Sequence, residues 1–102
     1  MVIVKHDIGT SNEHAPNGKS WIAYWNDITN CEKPNECPCC HEKVTEDNPI
    51  VGAHVVLVTD MANPNREHFI VPTCDKCNKT YKGIHSYKSF TVPSEWLASI
   101  IS

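Results

Sequence analysis

Three cysteines and a histidine fall within five consecutive positions, Cys37-Pro38-Cys39-Cys40-His41, and two further cysteines follow as Cys74-Asp75-Lys76-Cys77. Thiolates are both nucleophiles and metal ligands. The spacing selects the second role. Each stretch contains a C-x2-C pair, and 33 residues separate Cys40 from Cys74. Two residues between thiols let both sulfurs reach one ion while backbone amides turn towards them. Four thiolates suit tetrahedral zinc, with Zn–S near ~2.3 Å. The expected ligands are Cys37, Cys40, Cys74 and Cys77, with Pro38 stiffening the first turn and Cys39 pointing away as its middle residue. A register shift that uses Cys39 instead of Cys40 is the alternative. His41 is read as a surface residue and Cys31 as a free, partly buried thiol. Four protein sulfurs leave no open coordination position, so a single Zn2+ per chain is expected to be structural. Its expected contribution to folding is on the order of 10 kcal/mol.

The compartment bears on this reading. In a secreted chain the six cysteines could pair as disulfides. The N-terminus Met1-Val2-Ile3-Val4-Lys5 lacks a basic n-region and a long apolar core. No apolar run approaches the roughly 18 residues of a membrane span. A cytoplasmic location is expected, where paired short cysteine spacings favour a metal over disulfides. With 102 residues, 40% of them hydrophobic and 21% charged, the chain is expected to form a single domain.

The net charge of −3 argues against a basic nucleic-acid binder overall, but the charge is uneven. Residues 32–60 carry six acids and two bases, whereas residues 66–88 carry five bases and two acids. Arg66, Lys76, Lys79, Lys82 and Lys88 are therefore the candidate phosphate contacts. Lys76, Lys79 and Lys82 step by three along an expected helix and share a broad face. The plainer reading is a solvated helix face.

The elements that position these residues follow from periodicity. Val2–Val4 reads as a short edge strand and residues 9–19 as a loop. In Ser20-Trp21-Ile22-Ala23-Tyr24-Trp25, Ser20 is a candidate N-cap, and Trp21, Tyr24, Trp25 and Ile28 fall on one helical face, expected to pack on the core. Residues 51–58 (VGAHVVLV) are β-branched and read as a strand. A loop around Asn63-Pro64-Asn65 leads to a second strand over 68–72, giving a hairpin. A short helix is expected within 75–82, stopped by Gly83. Residues 89–92 (SFTV) read as a final strand. A C-terminal helix should then start at Pro93-Ser94, with Trp96, Leu97, Ile100 and Ile101 as its apolar stripe.

A cysteine knuckle, a strand containing Gly52-Ala53-His54-Val55, and a strand ending Phe69-Ile70-Val71-Pro72-Thr73-Cys74-Asp75-Lys76-Cys77-Asn78 follow in that order. This arrangement resembles the zinc-stabilised treble clef of the HNH nuclease superfamily, and within it small proteins with the same GAHV pattern. The resemblance covers residues 37–82. It implies an α+β fold, a ββα-metal core with flanking N- and C-terminal helices. In catalytic members the strand histidine is the general base on the attacking water, and Mg2+ or Mn2+ stabilises the scissile phosphate. Carried over, His54 matches the base and Asn78 the residue that helps hold the ion. Asp60 is the nearby acid, and His68 occupies the approximate place of the central asparagine. Many active members carry an acid where this chain has Ala53, so the expected site is degenerate or cryptic. His54 is otherwise a buried strand residue, and Asn78 a helix cap.

The expected function is a zinc-binding, nucleic-acid-associated protein with DNA or RNA as partner, acting as a monomer. An active endonuclease using His54 and a protein-interaction module are the alternatives.

Overall fold

The computed structural model describes residues 1–6, 15, 18–81 and 88–100. The elements run β1 (Val2–His6), α1 (Trp21–Thr29), β2 (Ile50–Leu57), β3 (Phe69–Cys74), α2 (Asp75–Tyr81), β4 (Ser89–Val92) and β5 (Ala98–Ser99). Short 3-10 turns follow β2 at Val58–Asp60 and precede β5 at Ser94–Trp96. The result is a small α+β unit around a five-stranded antiparallel sheet in the order β4-β1-β2-β3-β5. No helix among the described residues is long and apolar enough to cross a membrane.

β2 and β3 form the expected hairpin, in a register that sets His54 against Ile70 and Ala53 against Val71. Side chains alternate across a strand, so this register sorts the hairpin onto two faces. Val55 and Val71 join Val4, Phe90, Val92 and the cysteines in one core cluster. Ile70 joins Tyr24, Trp25 and Ala98 in a second cluster beneath α1. Because both faces are covered, residues 53–56 are all buried. That explains why β2 reads as a continuous apolar run rather than an alternation.

α1 forms where its N-cap and aromatic spacing place it. Ser20 Oγ accepts the Ala23 amide at 3.3 Å, and Asn30 closes the other end in the left-handed region. Tyr24 and Trp25 are buried, but Ile28 is 48% exposed, so the apolar stripe is narrower than expected. The helix sits tightly on the sheet at Gly52. A Cβ there would lie 2.6 Å from the Trp21 carbonyl carbon and 2.8 Å from the Ile22 nitrogen.

Two expectations are corrected. β1 is not an edge strand; it lies between β4 and β2, pairing Val4 with Phe90 on one side and with Leu57 on the other. Its β4 partner comes from residues more than eighty positions away, which local patterning does not register. Nor is there a C-terminal helix over the described residues 93–100. After the 3-10 turn the chain extends as β5 and covers the edge of β3, pairing Ile70 with Ala98. Leu97 packs onto the cysteine cluster and Ala98 onto the α1 cluster, a two-residue alternation. Trp25 Nε1 donates to the Trp96 carbonyl at 2.7 Å, and the Tyr24 hydroxyl to the Ser99 carbonyl at 2.6 Å. These tertiary bonds hold the segment extended. β4 is accordingly not the last strand. Gly83, Ile101 and most of the loop expected over 9–19 lie outside the described residues.

Candidate metal centre

The first knuckle is built by a tight turn. The Glu36–Lys43 bridge brings its ends together, the Cys37 amide donates to the Glu42 carbonyl at 3.0 Å, and the His41 amide to the Cys37 carbonyl at 2.8 Å. His41 takes a positive φ of 64° and points outward, leaving the turn Pro38–Cys40 to present its sulfurs. The second knuckle spans the junction of β3 and α2, with Cys74 closing the strand and Cys77 in the first helical turn. Residues 48 and 49 anchor that junction. Pro49 O accepts the Asp75 amide at 2.9 Å, and Asn48 Oδ1 accepts the Lys76 amide at 2.8 Å, so two orphan amides of α2 are satisfied.

The structure brings Cys37, Cys40, Cys74 and Cys77 together, with all four sulfurs within 4.8 Å of one another. Tetrahedral zinc with bonds of ~2.3 Å sets sulfurs about 3.8 Å apart, and Cys40 Sγ lies 3.9 Å from Cys74 Sγ. Amides point at the sulfurs as well. Cys37 Sγ accepts from the Cys39 and Cys74 amides, each at 3.3 Å, and Cys74 Sγ accepts from the Cys77 amide at 3.4 Å. The Cys74 amide therefore binds the sulfur of the other knuckle.

These contacts set the charge. The Cys39 thiol, together with the amides of Cys74, Cys40 and Cys39, holds Cys37 far below the ordinary thiol range, at about 3, against the opposing effect of burial. Burial, followed by thiol hydrogen bonding with Cys74, pushes Cys77 up, and burial also raises Cys40. Cys37 readily carries charge, while Cys40 and Cys77 resist doing so. Four thiolates at these distances need a divalent cation between them. The donor set, four sulfurs that fill a tetrahedron, fits zinc.

Cys39 is only 3% exposed and packs within the cysteine core, where its amide donates to Cys37 Sγ at 3.3 Å. Bonding to Cys37 first, and burial second, keep it protonated. It belongs to the packing of the centre and lies outside the four-sulfur group. His6 was not singled out in the sequence. It is fully buried on the same face, and its ring centre lies 5.4 Å from that of Phe90. Burial, opposed by the charge of Cys37, lowers it to about 4. The signal was present in Val2, Val4 and His6 at alternate positions of β1, which share a face.

The remaining candidates lie on different segments of the chain. His54 is 8% exposed on the opposite face of the sheet, its ring set edge-on to Trp21 at 4.7 Å and 79°. Ala53 is fully buried. Asp60 ends the 3-10 turn beyond β2, His68 precedes β3, and Asn78 lies half-buried in α2. Among the described residues, the four cysteines are the one group of three or more His, Cys, Asp or Glu side chains arranged to hold an ion.

The basic candidates are also spread out. Lys76 and Lys79 are exposed on α2, and Lys79 pairs with Asp75 at 2.7 Å. Both line a cleft with Lys43 and with the acids Glu42, Asp47 and Asp75, so charge there is balanced. Arg66 donates from its guanidinium to the Asn63 carbonyl at 3.4 Å, at the other end of β3. That strand spans about 17 Å. Lys88 is half-buried just before β4, and Lys82 lies outside the described residues. No family model matches the chain, and neither a curated protein nor a solved structure matches it.

Proposed function

We propose that this chain is a zinc-stapled binding module of the HNH-like treble-clef type, in which the metal is structural and the strand histidine does not act as a nuclease base. The observation that carries this reading is the closed group of four sulfurs joining the first knuckle to the β3–α2 junction. A closed site has no position for substrate or reactive water. The burial of His54 against Trp21 supports the non-catalytic half of the reading, because a general base must reach a water held at its substrate.

Nucleic acid is the proposed partner, contacted through exposed Lys76 and Lys79 on the metal-anchored helix α2. The lysines would act as point charges on phosphates. The balanced charge of the neighbouring cleft favours a protein partner as the second reading.

One experiment tests the parts together. Metal analysis of the purified chain should give about one zinc per chain. The zinc-loaded protein and a His54→Ala variant that retains zinc are incubated with plasmid DNA and Mg2+ or Mn2+. The expected result is no cleavage by either, with retardation of DNA that weakens about tenfold on a fourfold rise in salt for two phosphate contacts. Cleavage that disappears in the variant would establish the nuclease instead. Absence of both cleavage and retardation would move the assignment to a protein partner.

A further inference from the structure

The four sulfurs are not equally placed. Cys37, Cys74 and Cys77 are 0%, 2% and 5% exposed, whereas Cys40 is only half-buried. Cys40 lines an open cavity of about 190 Å3, shared with Cys77, Glu42, Asn48, Lys76 and Thr80. Hydrogen bonding is uneven too. Cys37 accepts two amides at 3.3 Å, and such donors stabilise a thiolate and blunt its reactivity. Cys40 combines ligand position with access, and its sulfur lies 3.9 Å from Cys74 Sγ. A disulfide bond is about 2.05 Å long, so the two sulfurs need to approach by roughly 2 Å to bond.

We propose that Cys40 is an oxidation site at which a peroxide opens the metal centre, with Cys74 as the resolving thiol. The inference rests on the reading of the four cysteines as a zinc site. The Cys40 thiolate attacks one oxygen of hydrogen peroxide; the O–O bond breaks, leaving a sulfenic acid on Cys40 and releasing hydroxide. The Cys74 thiolate then attacks the Cys40 sulfur; the S–S bond forms, the S–O bond breaks and a second hydroxide leaves. Two electrons pass from the two sulfurs to the peroxide, and solvent protons convert both hydroxides to water. Two thiolates, Cys37 and Cys77, remain of the four ligands, too few for structural zinc. The new bond still ties the first knuckle to the end of β3. Cys77, and with it α2, loses its metal anchor. Oxidation therefore leaves α2, which carries Lys76 and Lys79, held at its start by Cys74, Pro49 and Asn48 but without a metal at Cys77.

The test uses the full zinc-loaded chain carrying Cys31→Ser, which removes the cysteine outside the centre. Zinc content is measured first. Hydrogen peroxide is then added in rising equivalents while released zinc is read with a chromogenic chelator and disulfides are mapped by mass spectrometry of unreduced peptides. Zinc release and a Cys40–Cys74 disulfide should rise together, one zinc per disulfide, and reduction with added zinc should reverse both. In a separate brief labelling with a maleimide, Cys40 should react about tenfold faster than Cys37, Cys74 or Cys77, because thiolate reactivity follows access. Zinc retained under peroxide that oxidises a small thiol standard would overturn the inference and leave the metal site standing. So would a first disulfide between any other pair, such as Cys39–Cys77, or equal labelling of the four ligands. A zinc content near zero at the outset would instead overturn the metal site itself, and the inference with it.

Discussion

His41 takes the left-handed conformation that glycine adopts without penalty, at a φ of 64° and with an exposed side chain. Its conformation is set by the turn, because its amide must reach the Cys37 carbonyl. Replacing His41 with Gly should therefore stabilise the zinc-loaded protein by about 1 kcal/mol, read as a higher urea midpoint at unchanged zinc content. His6 makes a prediction of the opposite kind. Burial lowers it from 6.5 to about 4 in the folded chain, so the unfolded chain binds its proton first as the pH falls. Its contribution is fully present above pH 6.5 and lost progressively down to about pH 4, amounting to about 3 kcal/mol. Urea unfolding of the zinc-loaded protein at pH 7 and pH 5 should show about 2 kcal/mol of this loss, and a His6→Phe variant should lose less. Equal pH dependence in both would remove His6 from the account. The motif residues at this scale were legible as types. What the sequence did not show was direction: Cys39 turns into the cysteine core, and His54 packs against Trp21.

Between elements, α1 approaches β2 tightly at Gly52. The nearest atoms to a hypothetical Cβ are Trp21 and Ile22 backbone at 2.6 and 2.8 Å, which cannot move without shifting the helix. Gly52→Ala should cost about 1–3 kcal/mol by overpacking. The measurement is the denaturation midpoint together with tryptophan fluorescence, since Trp21 and Trp25 both lie in α1; an unchanged midpoint would mean that α1 does not dock as described. Strands β2 and β3 were readable from β-branched residues, and α1 from its N-cap and aromatic spacing, because these signals are local. The segment 93–100 misled for a physical reason. Trp96, Leu97 and Ile100 fit a helical stripe, but the uncovered edge of β3 and the donors on Trp25 and Tyr24 favour an extended chain. Tertiary hydrogen bonds there outweigh local propensity.

At the scale of the whole molecule, the four-cysteine group joins a turn between α1 and β2 to the β3–α2 junction, and its sulfurs pack with the cluster of Val4, Val55, Val71, Phe90 and Val92. Removing the ion should therefore disturb the sheet as well as the knuckles. Chelation of the zinc-loaded protein is expected to abolish cooperative unfolding, consistent with a metal contribution on the order of 10 kcal/mol. Circular dichroism with and without chelator, followed by zinc add-back, measures it; a cooperative transition that survives complete zinc removal would show that the apolar core suffices alone. The sequence by itself determined the two cysteine knuckles and the hairpin, because C-x2-C spacing and β-branched runs act over a few residues, while the choice of Cys40 over Cys39 waited for the fold that gathers the four sulfurs. Only the tertiary structure decided the order of the sheet, the extended C-terminal segment and the fate of His54. Each depends on which distant surface covers a strand, and one strand's pattern is compatible with several partners. The same two-sided burial that hid the alternation of β2 placed its histidine beneath α1, away from the sulfurs on the other face.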